Sequence, residues 1–374
     1  MRSLLVLIDG LGDDPISAWH GQTPYEYAEH PVMDYLSTTG YLGYFSICEN
    51  DLVPESCSCI LRLLGVGKKN IPRNRAYLEL LANNRDISEF EMVLRCNLVA
   101  VDERGLLVAF NGQGLTSQEM CQAAECCDNV LKDIEFIHLS DYRNLIIMNK
   151  ETSIINYSVK PPHESVGENI NDLLYEIQQK SLSINYFLKE TSKRLSSFTR
   201  NGIRYMLYPW SISERQGIPS FRELHGLRGG AVCKAEIVTG IAKALGMDVI
   251  VPATATGDVD TDITAKVENV LNLLKQDDFV IAHFNGSDEA AHRYDYQTKA
   301  NFITRIDKQF MQVIMTSFKE PLKIIVCGDH VTSSLTGKHG DGYTPVIAGY
   351  LNAAGRNIKL SSYHDILNFL YERE

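Results

Sequence analysis

Four short runs of β-branched and other apolar residues, each followed by a loop rich in Gly, Asp, Asn or His, constrain the fold more than any other feature of this chain. The runs are Leu4–Ile8, Val249–Val251, Phe279–His283 and Lys323–Cys327. Helical patterns occupy Cys233–Leu245, Ile263–Lys275, Gln297–Ser317 and His364–Tyr371. Such alternation predicts an α/β fold with a largely parallel sheet flanked by helices. Because ligands bind beyond the carboxyl ends of strands in these sheets, we expect the polar loops to form one site.

The middle of the chain has a different pattern. From about Phe90 to Val159, several strand-like segments surround one helical segment near Ser117–Lys132, and a further helical stretch spans 165–197. This pattern predicts a small α+β unit followed by a helical connector. We therefore expect one domain built from residues 1–85 and 165–374, interrupted by an inserted α+β domain at residues 86–164.

Composition restricts the class of partner. The chain has 374 residues and a net charge of −11, which disfavours nucleic acid and membrane surfaces as partners. The apolar run at Leu4–Ile8 is too short for a signal peptide or a membrane span. The nine cysteines include no paired CxxC motif, which argues against a cysteine zinc site and is typical of reduced thiols in a cytoplasmic protein.

Three strand ends carry residues that can bind metal ions. Asp9 follows the first strand, Asp288 and His292 follow the third at helical spacing, and Asp329 and His330 follow the fourth. A further histidine, His339, lies in the next loop. Any one of these residues could be a helix cap or a structural histidine. Together, three aspartates and three histidines can nearly complete two divalent metal sites, one ligand short.

A serine at a loop-to-helix junction can supply the missing ligand. Ser56 lies in the segment 53–61, which leads into an apolar helix. In two-metal phosphoryl transfer the nucleophilic hydroxyl is itself bound to a metal, and helix N-terminal amides favour a phosphate. Ser56 is therefore a candidate nucleophile, although it could also cap the helix.

At these residues the sequence resembles the cofactor-independent phosphoglycerate mutases of the archaeal type, within the alkaline-phosphatase superfamily. The resemblance runs over nearly the whole chain. Its stretches include Asp9-Gly10-Leu11-Gly12-Asp13, Thr23-Pro24-Tyr25-Glu26, Arg95-Cys96-Asn97-Leu98-Val99, Pro161-Pro162-His163, Gly226-Leu227-Arg228-Gly229, Ala253-Thr254-Ala255-Thr256-Gly257, residues 277–292, Gly328-Asp329-His330 and His339.

The resemblance implies a fold, a reaction and a set of roles. One metal would be held by Asp288, His292 and His339, and the other by Asp9, Asp329, His330 and Ser56. Ser56 would carry the phosphoryl group during interconversion of 3- and 2-phosphoglycerate, an isomerase reaction of glycolysis. The metals in the family are usually manganese, with zinc or magnesium as alternatives, and the inserted domain helps to bind a small phosphorylated acid. The resemblance implies no oligomeric state.

The sequence departs from the family around the nucleophile and in the substrate pocket. Ser56 lacks the usual preceding Gly and the acidic residue and His that follow, so Ser58 is an alternative nucleophile. For the substrate anion we expect Arg73, Arg95 and Arg228, since guanidinium groups suit phosphate and carboxylate oxygens. His283 is expected to support a metal ligand. The altered pocket leaves open a related phosphomutase, phosphatase or phosphonate-processing enzyme, or a non-catalytic paralogue.

Overall fold

The computed structural model describes residues 1–47, 55–353 and 357–372. Contacts divide the chain into two compact units, one of residues 1–71 with 218–374 and one of residues 72–217. The described strands, in chain order, are β1 (Arg2–Ile8), β2 (Tyr41–Phe45), β3 (Glu91–Val101), β4 (Leu107–Ala109), β5 (Ile134–Ser140), β6 (Arg143–Asn149), β7 (Arg204–Glu214), β8 (Gly229–Val232), β9 (Asp248–Ile250), β10 (Phe279–Phe284), β11 (Leu322–Cys327), β12 (Val331–Ser333), β13 (Lys338–Gly340) and β14 (Thr344–Leu351). The described α-helices are α1 (Pro24–Tyr27), α2 (Pro31–Thr39), α3 (Ser56–Leu63), α4 (Ala76–Ala82), α5 (Ser117–Cys127), α6 (Ile170–Lys180), α7 (Leu182–Arg194), α8 (Phe221–His225), α9 (Glu236–Ala244), α10 (Ile263–Leu273), α11 (Gly286–His292), α12 (Tyr296–Ile306), α13 (Gln312–Ser317) and α14 (Tyr363–Tyr371).

The first unit is built on a seven-stranded sheet in the order β2-β14-β11-β1-β10-β8-β9. The strands from β11 to β9 run parallel, whereas β14 and β2 run antiparallel at one edge. Every residue of β10 and β11 is buried, as expected for strands covered on both faces. One core forms where β1, β10 and β11 pack against α2, α10 and the α12–α13 segment. The predicted α/β class with a largely parallel sheet is confirmed.

The helix after the third predicted strand is continuous but not regular. A π-helical turn at Asp307–Met311 joins α12 to α13. The carboxylate of Asp307 at this turn accepts hydrogen bonds from the backbone amides of Val32 and Met33, at 3.0 and 2.9 Å. These amides belong to the first turn of α2, so Asp307 caps that helix from a distant part of the chain.

The second unit is an antiparallel sheet covered by helices. Its order is β4-β3-β6-β5, and β7 pairs with β3. Helices α5, α6 and α7 contribute to its core, together with Tyr208 and Trp210 of β7. The unit is therefore wider than the 86–164 domain expected from the sequence. The segment 165–197, interpreted as a connector, packs here because its apolar faces are buried on this sheet.

The cysteines differ in part from the expectation of reduced thiols throughout. Cys59 is disulfide-bonded, whereas the following cysteines form no disulfide bond: Cys57, Cys96, Cys121, Cys126, Cys127, Cys233 and Cys327. The spacing of the cysteines in the sequence carried no signal for this bond.

No helix among residues 1–47, 55–353 and 357–372 is long and apolar enough to span a membrane.

Candidate metal centre

The parallel strands bring the predicted ligands together. β11, β1 and β10 are neighbours, and Asp329, Asp9 and α11 follow their carboxyl ends. Asp9 and Asp329 are 1% and 0% exposed, and Asp288 is 8% exposed. Three carboxylates from distant parts of the chain are thus held below the surface of one unit.

One group consists of Asp9, Asp329 and His330. One ligand atom from each lies within 4.8 Å of the other two. His330 Nε2 is 3.4 Å from Asp9 Oδ1 and 3.4 Å from Asp329 Oδ2. Asp329 Oδ1 accepts hydrogen bonds from the amides of Gly10 and His330, whereas its buried Oδ2 has no hydrogen-bond partner among the described residues.

The second group forms around Asp288. Ligand atoms of Asp288, His330 and His339 also lie within 4.8 Å of one another. His292 Nε2 is 3.2 Å from Asp288 Oδ2 and 3.1 Å from His339 Nε2. His339 reaches this position because β13 pairs with β12 directly after Asp329 and His330. All six predicted Asp and His ligands therefore converge, with His330 facing both groups.

Ser56 lies beside the first group. Its Oγ is 3.4 and 3.5 Å from the two carboxylate oxygens of Asp9 and 3.2 Å from His330 Nε2. Ser56 is the first residue of α3, as the sequence predicted. The alternative, Ser58, donates to the carbonyl oxygen of Glu55 at 3.1 Å and is 5% exposed. The geometry thus favours Ser56. Residues 53 and 54 of the predicted nucleophile segment lie outside the described residues.

The electrostatics of the site favour a bound cation. Burial, and next the charges of Asp329 and Asp288, raise the pKa of Asp9 well above its usual range. Burial alone would raise the pKa of Asp288 too, but hydrogen bonds from His292 and His339 outweigh it and hold that pKa well below its usual range. The same contact with Asp288 raises the pKa of His292 to about 9. Crowded carboxylates, imidazoles that compensate them and the orphaned Asp329 Oδ2 fit divalent metal ions bound through oxygen and nitrogen.

A shell of residues holds the ligands in place. His283 Nε2 is 3.1 Å from Asp9 Oδ2, in agreement with its expected support of a ligand. Lys266 Nζ donates to the His283 carbonyl oxygen at 2.5 Å. Thr332 Oγ1 donates to Asp288 Oδ1 at 2.6 Å and lies 3.1 Å from His330 Nδ1. Thr332 was not predicted; it lies in β12, two residues after His330, and no local pattern distinguishes it.

A glycine and a buried lysine fix the conformation of the loop after β1. Gly10 has φ +61°, and a Cβ there would lie 2.6 Å from Thr332 Oγ1 and 2.9 Å from Asp288 Oδ1, so only glycine fits. Lys299 is fully buried and donates to Gly12 O, Asp13 Oδ2 and Thr332 O at 3.0, 2.7 and 2.9 Å. Lys299 thereby connects the loop after β1 with β12, the strand that follows Asp329 and His330.

The predicted arginines are not all at the metal centre. Arg228 precedes β8, where it pairs with Asp248 and Asp277, and its amide donates to Asp278 just before β10. The six residues of β10, at about 3.3 Å each, put roughly 20 Å between that edge and the ligands. The prediction for Arg228 is therefore wrong, because it lies at the amino ends of the strands. Arg73 is exposed and Arg95 buried, both in the second unit.

Comparison with known proteins identifies the family. The sequence profile of the metalloenzyme superfamily matches residues 1–364. The chain belongs to this superfamily. It is 28% identical over 366 residues to a 2,3-bisphosphoglycerate-independent phosphoglycerate mutase of Thermococcus kodakarensis, covering 93% of this chain and 88% of that protein. It is 26% identical over 362 residues to a phosphoglycerate mutase of the same type from Methanocaldococcus jannaschii, covering 92% of this chain and 87% of that one.

Two solved structures share the fold. A Pyrococcus horikoshii protein aligns with a TM-score of 0.76 and 24% identity, covering 98% of this chain and 92% of that one. A cofactor-independent phosphoglycerate mutase from Thermoplasma acidophilum aligns with a TM-score of 0.60 and 20% identity, covering 98% and 94%. The resemblance to archaeal cofactor-independent phosphoglycerate mutases is thus confirmed over nearly the whole chain.

Proposed function

We propose that this protein is a metal-dependent phosphoglycerate mutase that interconverts 3- and 2-phosphoglycerate through a phosphoserine at Ser56. The observation that carries the proposal is the position of the Ser56 hydroxyl, 3.2 to 3.5 Å from His330 and Asp9 in a buried carboxylate-imidazole cluster. The relatives named above as phosphoglycerate mutases match over nearly the same length. A cytoplasmic location and a place in glycolysis belong to the same proposal.

The ligand set supports two divalent ions, with manganese as our first choice and zinc or magnesium as alternatives. One site would use Asp288, His292 and His339, and the other Asp9, Asp329, His330 and Ser56. When bound, the ions would neutralise phosphoryl oxygens and favour the alkoxide form of the serine. His330 has a ligand atom within 4.8 Å of the ligand atoms of both groups, so it is within reach of either ion.

The residues of the chain account for the transfer itself. The Ser56 hydroxyl points at Asp9 and His330, so its proton has an acceptor within hydrogen-bond reach. Ser56 Oγ forms a bond to phosphorus as the bond between phosphorus and the oxygen of the substrate breaks. The freed glycerate oxygen takes up a proton. In the second half of the reaction the other glycerate hydroxyl loses its proton, attacks the phosphoserine and regenerates the Ser56 hydroxyl.

A cluster of charged and aromatic side chains in the second unit supports recognition of an acidic substrate. Arg95 Nε and Arg75 Nε share the carboxylate of Glu79, at 2.9 and 3.2 Å. The Arg95 guanidinium also lies 4.4 Å from the centre of the Trp210 ring, and its buried Nη1 has no hydrogen-bond partner among the described residues. Burial lowers the pKa of Arg95 to about 10. Two arginines on one carboxylate leave an excess of positive charge that a phosphate or carboxylate would satisfy.

Burial lowers the pKa of the nearby His163, and the charges of Arg75 and Arg95 lower it further. An uncharged His163 can accept or donate a hydrogen bond without adding to the repulsion between the arginines. We therefore assign the substrate anion to Arg95, with Arg73 retained as a second candidate. The other reactions allowed by the sequence, including hydrolysis and a non-catalytic role, receive no support from the relatives.

Turnover tests the proposal directly. The purified protein, reconstituted with manganese, is assayed for conversion of 3- to 2-phosphoglycerate beside Ser56→Ala and Ser58→Ala, with a generic phosphate ester as second substrate. We expect wild-type turnover, a loss of at least about a thousandfold in Ser56→Ala and little change in Ser58→Ala. Ester hydrolysis without mutase activity, or full activity in Ser56→Ala, would contradict the proposal.

A further inference from the structure

The helix that begins with Ser56 is held at its other end by side chains from distant segments. The carbonyl oxygens in the last turn of α3 have no amide four residues on to accept from, and Arg62 O accepts instead from the Gly65 amide at 2.8 Å. The Tyr363 hydroxyl donates to Arg62 O, the Tyr371 hydroxyl donates to Leu63 O at 2.5 Å, and His225 Nε2 lies 2.9 Å from Leu64 O. Three successive carbonyls of the nucleophile helix are thus bound by side chains.

The local sequence makes room for these contacts. Gly65 follows α3 with φ +84°, and a Cβ there would lie 2.5 Å from His225 Cε1. The His225 ring stacks on Tyr371 at a centroid distance of 4.0 Å, and Tyr371 also contacts Phe279 at the start of β10. Tyr371 is 7% exposed. Its hydroxyl is therefore aimed by an aromatic cluster rather than by the hydrogen bond alone.

The helix that carries both tyrosines is fixed to the strands that carry the metal ligands. Ser3 Oγ, in β1, donates to Leu370 O at 2.6 Å, and Lys323 Nζ, in β11, donates to Glu372 O at 2.9 Å. β1 leads to Asp9, and β11 leads to Asp329. The same two strands thus hold the ligands at their carboxyl ends and α14 at their amino ends.

We propose that Tyr363 and Tyr371 are positioning residues that fix α3, and with it Ser56 Oγ, relative to Asp9 and His330. This inference rests on the proposed function, since it assigns a role in aligning the nucleophile. Tyr371 lies beyond residue 364, where the match to the superfamily profile ends. Both tyrosine hydroxyls donate to carbonyl oxygens at the far end of α3 from Ser56, so they act through the backbone of α3.

The test uses the full-length protein reconstituted with manganese. Tyr363→Phe/Tyr371→Phe removes two hydroxyls and keeps the rings. The matched control is Tyr41→Phe, because the Tyr41 hydroxyl donates to Leu360 O at 2.7 Å, in the segment before α14, without touching α3. Three quantities are measured: amide hydrogen exchange in 59–64, bound manganese, and kcat and KM for 3-phosphoglycerate.

We expect exchange in 59–64 to quicken about tenfold in the double variant, since a hydrogen bond contributes roughly a factor of ten or less to local stability. We expect kcat to fall about tenfold or more, since a small misplacement of a reacting group costs large factors in rate. KM should stay within about twofold because the arginines assigned to the substrate are not altered, and bound manganese should change little because six of the seven proposed ligands keep their positions and only Ser56 shifts. The control should match the wild type in all three.

Unchanged exchange and kcat in the double variant would overturn the inference, and so would an equal loss in Tyr41→Phe. If the double variant fails to fold, Tyr371→Phe alone is measured against the same control. A wild-type protein that turns over no phosphoglycerate would contradict the proposed function instead. The exchange measurement would still decide whether the tyrosines hold α3.

Discussion

Replacement of Lys299 by methionine should destabilise the first unit more than any single surface change. Lys299 and Asp13 form an ion pair at 2.7 Å in which both side chains are 0% exposed. Methionine has a similar length but no charge, so Lys299→Met leaves the Asp13 carboxylate buried with its hydrogen bonds from Ser334 and the Asp14 amide but without a cation. The carbonyl oxygens of Gly12 and Thr332 lose the lysine donor as well, although Gly12 O still accepts from the Thr332 amide at 3.1 Å.

The expected loss of unfolding free energy follows from the burial of the Lys299–Asp13 pair. Removal of one partner from a buried ion pair costs about 3–5 kcal/mol of unfolding free energy, because the remaining charge is uncompensated. An exposed pair contributes about 0–1 kcal/mol. Lys308→Met is therefore the matched control, since Lys308 pairs with Glu29 at 2.6 Å with 49% and 77% of the side chains exposed.

The assay is urea unfolding followed by tryptophan fluorescence. The chain has two tryptophans, Trp19 in the first unit and Trp210 in the second. A Trp210→Phe background therefore makes the signal report on the first unit alone. We would reject Lys299 as a buried link between the loops if Lys299→Met lost less than about 1 kcal/mol of unfolding free energy, no more than Lys308→Met loses.

Three further predictions follow from described contacts. Manganese should stabilise the first unit against urea by about 2.7 kcal/mol at a hundred times its Kd, and Asp329→Asn should lose most of this gain, as measured in the presence and absence of a chelator. Asp277→Asn should stabilise the protein at neutral pH, because burial and then Asp248 raise the pKa of Asp277 to about 6. The ordinary pKa of an aspartate is near 4, so ionisation of Asp277 lowers the unfolding free energy of the wild type as the pH rises from about 4 to about 6. The gain in the variant, on the order of 1–3 kcal/mol in urea titrations, should therefore be complete above pH 6 and absent near pH 4. Arg95→Met should raise KM for phosphoglycerate at least about tenfold, with a smaller effect from Arg73→Met; equal effects in steady-state kinetics would contradict the greater role of Arg95.

Of the parallel strands the sequence predicted β1, β9, β10 and β11 but not β8, which has four residues and begins with two glycines. β1, β10 and β11 have continuous apolar runs, and each ends in the polar residues that form the site. Strands β2 and β14 were not predicted. Their segments contain Gly43, Pro345 and Gly349, which weaken a strand pattern, and they pair antiparallel at the edge of the sheet.

The candidate site was predicted in its ligands and less well in its surroundings. The Asp and His ligands follow strand ends, and parallel neighbours must bring such ends together. Thr332, Lys266 and Tyr371 act through contacts between segments distant in the sequence, and nothing local distinguishes them. Arg228 was assigned to the site because its segment matches the relatives. Such a match does not reveal which end of a strand the segment occupies.

The contacts on α3 also bear on how the protein is made. Tyr363 and Tyr371 lie 301 and 308 residues after their partners Arg62 and Leu63. At ribosomal rates of about 5–20 residues per second, roughly 15–60 s separate the synthesis of the two partners. The tyrosine contacts with α3 can therefore form only after almost all of the described chain has been synthesised, so the position that α3 takes in the folded unit is completed late.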